Sequence, residues 1–289
     1  MGTAPQWKTL RGFTVPADYR APAKHPVESK ERLYPFTVRM FNRLMRLQRM
    51  RVRVVGAEHV PERGGAIIAA NHTGYYDFML TGTGPLLQGG RLLRYMAKKG
   101  VFDIPVLGTL LRTMKHVPVD RDNGGSAVDA AVRGLRDGNL VGIFPEGTIS
   151  RSFELAHFKT GAARIAYQAG VPLIPCVMWG SQRIWTKDLP KHFHNVPVIV
   201  RYGEPVELTG DAEADTAELK RRMQELLDAS RAEYTALAGP GTGEAWMPVA
   251  LGGTAPTVEE AERIYARERA ERDAKKAAKQ AKRARKVRK

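Results

Sequence analysis

The chain has a single cysteine in 289 residues, which excludes an internal disulfide and fits a reducing compartment. Cys176 lies in the apolar run Val171-Pro172-Leu173-Ile174-Pro175-Cys176-Val177-Met178, so it reads as a core side chain rather than a nucleophile. Paired cysteines are absent, and no two histidines stand four residues apart. The spacings that hold metals are therefore missing, and neither a metal nor a cofactor is expected. No apolar run approaches the roughly 18 residues of a membrane-spanning helix. No basic-then-apolar leader opens the sequence, and no internal repeat is found. Acidic residues are scarce: 30 Asp and Glu face 46 Lys and Arg, a net charge of +16. That balance calls for a polyanionic partner, whether nucleic acid, an anionic membrane surface or a phosphorylated substrate.

Hydrophobic residues make up 43% of the chain, enough for one large core or two small ones. Short apolar runs at 51–56, 65–70, 92–96, 115–119, 140–144, 172–178 and 196–202 read as strands. Helical patterns fall between them at 75–87, 105–114, 126–137 and 160–169, and a long amphipathic helix follows at 213–237. This alternation predicts an α/β domain over 51–237, a mixed, largely parallel sheet flanked by helices.

The flanks differ in character. Residues 1–30 read as an extended arm rich in Pro, Ala and charge. Residues 31–50 form a helical pattern with Leu33, Phe36, Met40, Leu44 and Leu47 on one side and Arg39, Arg43, Arg46 and Arg49 on another. Two readings stand for it: a helix lying in a membrane interface, or one packed on the domain with its arginines in water. Residues 238–256 are a Gly- and Pro-rich linker, and 257–289 a charged tail. Within that tail, 258–273 suits a solvated helix, and 275–289 carries nine Lys or Arg and no acid. Such a run reads as a free, solvated segment that binds anionic surfaces loosely, at about 1 kcal/mol per charge near an anionic leaflet. RNA is its rival partner.

Four stretches at strand ends carry candidate chemistry. Asn71-His72-Thr73-Gly74-Tyr75-Tyr76-Asp77 follows the strand 65–70 and precedes a helix. Five helical residues turn through about 140°, so His72 and Asp77 meet only if His72 sits in the loop and the chain folds back. An Asp against a His fixes the imidazole tautomer and suits a general base acting on a substrate hydroxyl. A His capping a helix and an Asp on its surface is the plainer alternative. Phe144-Pro145-Glu146-Gly147-Thr148 follows another strand; Gly147 allows a tight turn, and Thr148 and nearby amides suit an oxyanion or phosphate. Arg121 ends Val117-Pro118-Val119-Asp120-Arg121 with a guanidinium fit for phosphate. Lys159, at a helix start in Phe158-Lys159-Thr160-Gly161, opposes the helix dipole unless it holds an anion.

In this order, the stretches resemble the glycerolipid acyltransferase family, whose best-known members are 1-acyl-glycerol-3-phosphate acyltransferases. Asn71-His72-x-x-x-x-Asp77 resembles the family's catalytic block. Lys99-Gly-Val-Phe-Asp-Ile-Pro105-Val-Leu-Gly108, running on to Arg121, resembles the second block. Phe144–Thr148 with Phe158-Lys159-x-Gly161 resembles the third, and Val171–Pro175 the fourth. The likeness covers roughly residues 52–205.

That resemblance implies an O-acyltransferase that moves an acyl chain from acyl-CoA or acyl carrier protein to 1-acyl-glycerol-3-phosphate. Glycerol-3-phosphate and other lysolipids are alternative acceptors, and an inactive lipid-binding scaffold is the reading from another class. His72 would be the general base and Asp77 its orienting partner. Arg121 and the Glu146-Gly147-Thr148 loop would hold the acceptor's phosphate, with Lys99 and Lys159 beside them. The implied partners are the two substrates and an anionic membrane surface, with peripheral attachment at the cytoplasmic face and no nucleic acid. The chain departs from the family pattern at Gly74, where Ser is usual, and at Ile149, where Arg is usual; Arg151 is the candidate replacement.

Overall fold

The computed structural model describes residues 6–119 and 124–287. Its core is a sheet of nine strands among the described residues, in the order β1-β2-β3-β9-β8-β4-β7-β5-β6. The strands are β1 (Trp7–Leu10), β2 (Phe13–Pro16), β3 (Arg51–Val55), β4 (Ala66–Ala70), β5 (Leu93–Lys98), β6 (Val117–Val119), β7 (Leu140–Ile143), β8 (Leu173–Trp179) and β9 (Pro197–Tyr202). Only β1–β2 and β8–β9 run antiparallel. The remaining neighbours are parallel, so the mixed, largely parallel sheet expected from the sequence is present.

The helices are α1 (Leu33–Leu47), α2 (Asp77–Leu80), α3 (Thr83–Leu87), α4 (Lys99–Phe102), α5 (Leu107–Thr113), α6 (Gly124–Arg136), α7 (Gly161–Ala169), α8 (Ala212–Ala238) and α9 (Val258–Val287). The 27-residue α8 starts at Asp211, whose side chain accepts from the amides of Glu213 and Ala214 and so satisfies two orphan donors. The central strands β4 and β8 are buried along their whole length, as their unbroken apolar sequences require when both faces of a parallel sheet are covered. Cys176 is one of these buried residues; burial pushes its thiol pKa up, which makes it an inert core group.

Three features depart from the sequence reading. The N-terminal arm contains the β1–β2 hairpin, which joins the sheet through Thr14 opposite Arg53. The helix expected over 75–87 is split into α2 and α3. Tyr202 Oη sits in the break, donating to Thr81 O, whose helical partner would be Pro85 with no N–H to give, and accepting from Gly84 N. The helix expected over 258–273 runs on to Val287.

The chain divides into two compact units. One comprises residues 1–149 and 157–240; the other comprises 150–156 and 241–289. In the second unit the Arg151 guanidinium pairs with Glu268 at 2.6 Å and lies 5.4 Å from the Tyr265 ring, whose hydroxyl accepts from Arg151 N.

Candidate active site

The parallel register of β4 and β7 places Ala69 opposite Ile143, so the segments after the two strands emerge at the same height on one sheet edge. Three residues beyond that pair stand His72 and Glu146. The amide of His72 donates to Glu146 Oε1 at 2.9 Å and joins the two strand ends. From β8 the backbone of Met178 makes two bonds with the Asn71 side chain, at 2.7 and 3.0 Å. The first residue of the motif is thereby fixed to the third strand.

The loop after β4 folds back over the start of α2, as the His–Asp spacing demands. Asp77 Oδ2 accepts from His72 Nδ1 at 3.0 Å, from Thr73 N at 2.6 Å and from Gly74 N at 2.7 Å. Asp77 is fully buried, whereas 22% of the His72 side chain is exposed. With Nδ1 donating to the carboxylate, Nε2 is left as the acceptor. The imidazole stacks on Phe144, ring centroids 4.2 Å apart and planes 17° apart. Carboxylate and aromatic face together fix both tautomer and ring plane.

A second layer closes the loop. Thr73 bonds Ser181 through their hydroxyls, and Thr186 Oγ1 donates to Thr73 O at 2.6 Å. Tyr75 N donates to Trp185 O. This contact explains Gly74: a Cβ there would lie 2.8 Å from the Trp185 carbonyl oxygen. A serine at this position would press against this segment.

On the neighbouring strand end, Gly147 has φ +68°, the left-handed conformation that glycine accepts without strain. Its amide is used within the turn, donating to Phe144 O. Glu146 is turned to the His72 backbone. The groups around Gly147 that suit an anion are cationic or hydroxylic. Lys159 Nζ lies 3.2 Å from where a Gly147 Cβ would stand, and Lys187 Nζ approaches Thr148 Oγ1 at 3.3 Å. Lys159 N donates to Pro145 O, which draws the start of α7 to this turn.

The sequence-selected residues are thus gathered in part. His72 bonds both Asp77, through its ring, and Glu146, through its amide, and Gly147, Thr148 and Lys159 sit beside them. Lys99 opens α4 at the end of β5, exposed, on the same sheet edge. Arg121 follows β6, which ends on that edge, but itself lies outside the described residues. Ile149 is buried, and Arg151 is paired with Glu268. Phe144 stands in its motif with nothing in the sequence to mark that it faces the imidazole. Lys187, Ser181 and Thr186 were missed; they lie in an irregular segment over a hundred positions from His72, without motif or period to mark them.

An apolar cavity of about 450 Å³ begins behind Phe144. It runs between α1 and β5 and is lined by Tyr34, Phe41, Met45, Tyr95, Leu110 and Met114 among others. Tyr95 also stacks on Phe144, centroids 5.9 Å apart, so linked rings connect the imidazole to the cavity wall. The arrangement offers a fixed base, a cationic turn and an adjoining apolar space.

The chain is similar to known proteins over the region that holds these residues. A sequence profile of the family described as Acyltransferase matches residues 51–179. The chain is 34% identical over 178 residues to a 1-acyl-sn-glycerol-3-phosphate acyltransferase of Bacillus subtilis, spanning 61% of this chain and 84% of that one. It is 32% identical over 199 residues to the Escherichia coli K12 protein of the same name, with 67% and 78% covered. Among solved structures, the 1-acyl-sn-glycerophosphate (LPA) acyltransferase PlsC of Thermotoga maritima matches with a TM-score of 0.53 at 25% identity, over 66% of this chain and 79% of that one.

Proposed function

The chain belongs to the acyltransferase family, and from that premise we propose that it acylates the free hydroxyl of 1-acyl-glycerol-3-phosphate to give phosphatidate. The observation that carries this reading is the His72 Nδ1–Asp77 Oδ2 bond of 3.0 Å, which leaves Nε2 as the acceptor on a ring stacked over the cavity wall. In the proposed reaction Nε2 takes the proton of the acceptor hydroxyl as its oxygen attacks the thioester carbonyl. The buried Asp77 carboxylate stabilises the imidazolium that forms. The tetrahedral intermediate collapses with cleavage of the C–S bond, and the proton on Nε2 passes to the departing thiolate. No acyl-enzyme is required, because a thioester is already activated and base catalysis with positioning suffices.

The acceptor's phosphate is assigned to the turn of Gly147 and Thr148 with Lys159 and Lys187, and to Arg121 and Lys99 on the same edge. Glu146 serves here by holding the His72 backbone. The cavity of about 450 Å³ suits the acyl chain of the donor, acyl-CoA or acyl carrier protein. Attachment to the cytoplasmic face of the cell membrane is assigned to α1: Leu33, Phe36, Met40, Leu44 and Leu47 are all exposed, with Leu47 at 83%, while Tyr34, Phe41 and Met45 turn to the cavity. No helix among the described residues is long and apolar enough to cross a membrane.

The test is acyl transfer in detergent micelles with palmitoyl-CoA and palmitoyl carrier protein as donors. The acceptors are 1-acyl-glycerol-3-phosphate, glycerol-3-phosphate and a neutral lysolipid. Phosphatidate formed from 1-acyl-glycerol-3-phosphate is the expected product. Preference for another acceptor would move the assignment, and silence across the panel would favour a lipid-binding scaffold.

A further inference from the structure

Beside the cavity, on the next flank of α1, lies a groove between that helix, the β1–β2 turn and the segment joining α3 to β5. Five cations line it: Arg11, Lys24, Arg39, Arg43 and Arg46. No acid lies among the described lining residues. Two of the five are fixed by the backbone. Arg11 Nη1 donates to Leu86 O, and Arg46 Nη2 donates to Arg11 O, which ties the helix, the turn and the α3 end into one wall. Lys24, Arg39 and Arg43 are exposed, and their side chains make no hydrogen bond or ion pair among the described residues. Assembling five like charges without a counter-charge costs free energy through mutual repulsion, which a bound anion would relieve.

Neighbouring surface narrows the identity of that anion. Arg39 and Arg43 each stand three positions after an exposed apolar residue, Phe36 and Met40, and so lie beside them on the helix. A ligand whose phosphate occupied the groove would have its chains against the row Phe36, Met40, Leu44 and Leu47. Free phosphate makes no use of that row. We propose that the groove is a headgroup site for an anionic phospholipid of the leaflet, separate from the acceptor's phosphate site. The two share no residue. Val38, Asn42, Leu86 and Leu92 border both the groove and the apolar cavity, so α1 is a common wall, and the bound headgroup holds that wall at the membrane. The inference rests on the membrane placement of α1 given under the proposed function.

The test uses the full chain and a lipid in solution, so that bulk membrane attraction plays no part. Dihexanoyl-phosphatidylglycerol, kept below its micelle concentration, is titrated calorimetrically into the wild type and into the Lys24→Gln/Arg43→Gln double variant. Both substituted side chains are exposed, and circular dichroism checks that the fold is kept. Binding is expected to weaken roughly tenfold or more in the variant. Dihexanoyl-phosphatidylcholine should bind both proteins alike and roughly tenfold more weakly than the anionic lipid binds the wild type. Equal affinity of the two proteins for the anionic lipid would overturn the proposal, as would equal affinity of the wild type for the two lipids. Displacement of the lipid by an equal concentration of inorganic phosphate would mark a free-anion site instead, and displacement by CoA a donor site; either result overturns the headgroup assignment. Acyl transfer is measured alongside. Its absence in both proteins would count against the proposed function while leaving the lipid titration readable.

Discussion

Two histidines stand at opposite ends of one series of linked rings. His72 stacks on Phe144, Phe144 on Tyr95, and Tyr95 meets His116 at 5.9 Å. Their surroundings set them to opposite roles. His72 Nδ1 faces the Asp77 carboxylate and donates to it, which frees Nε2 as an acceptor. His116 Nδ1 instead accepts from the Tyr95 amide at 2.8 Å, which leaves Nε2 as its donor. Burial, reinforced by the Arg94 guanidinium, pushes the His116 pKa down to about 4. The same side chain therefore presents an acceptor nitrogen backed by an anionic partner at one end and is a neutral wall group at the other. What separates them is the single atom that faces each Nδ1.

The contrast breaks most sharply at Asp77. Asp77→Asn replaces an acceptor of three hydrogen bonds with an amide that can hold the imidazole in the wrong tautomer. The expected fall in kcat is roughly 10³-fold, with KM little changed, read in steady-state acyl transfer. Next in size is the His116 end. Its folded pKa of about 4 lies below the 6.5 of a free histidine, so between these pH values the unfolded chain binds more protons than the folded one. Stability is therefore full above pH 6.5 and is lost as pH falls towards 4, by about 2–3 kcal/mol. Denaturant titrations at several pH values should show this loss in the wild type and not in His116→Phe; an identical acid dependence would remove His116 from the account.

Gly74→Ser sharpens the comparison from the loop side. Its Cβ would meet the Trp185 carbonyl at 2.8 Å, so the segment must shift at a cost of roughly 1–3 kcal/mol, visible as a lower Tm. Wild-type stability in this variant would show that the Trp185 contact yields easily. The smallest effect is expected at the cationic turn. Lys159→Met should raise KM for the phosphorylated acceptor by about tenfold with kcat largely kept, since it removes one of several charges around Gly147. An unchanged KM would separate Lys159 from the phosphate.

Much of this was legible in the sequence because it is local. Short apolar runs bounded by turns marked the seven strands from β3 to β9, and the five-residue interval from His72 to Asp77 required the fold-back that is seen. The β1–β2 hairpin was not legible. Trp7–Leu10 and Phe13–Pro16 are four-residue strands without a long apolar run, and their place depends on pairing with β3 some forty residues on. The break between α2 and α3 is marked locally by Gly82, Gly84 and Pro85, which the apolar pattern over 75–87 overrode; only the Tyr202 hydroxyl that occupies it comes from a distant strand. The helix read over 258–273 runs further than its mixed charge marked, because alanine, lysine and arginine are all strong helix formers, and α9 continues to Val287. Arg151 was offered from spacing as a stand-in for the missing Arg, but spacing does not reveal a partner such as Glu268 more than a hundred residues away. Lys187 near Thr148 was hidden likewise.

The central claim is that His72 is the base, and one comparison tests it most directly: single-turnover acyl transfer from palmitoyl-CoA to 1-acyl-glycerol-3-phosphate by wild type and His72→Ala, with circular dichroism confirming equal folding. Loss of rate by roughly 10³-fold or more, with donor binding retained, is the predicted result. Equal rates in the two proteins would contradict the account.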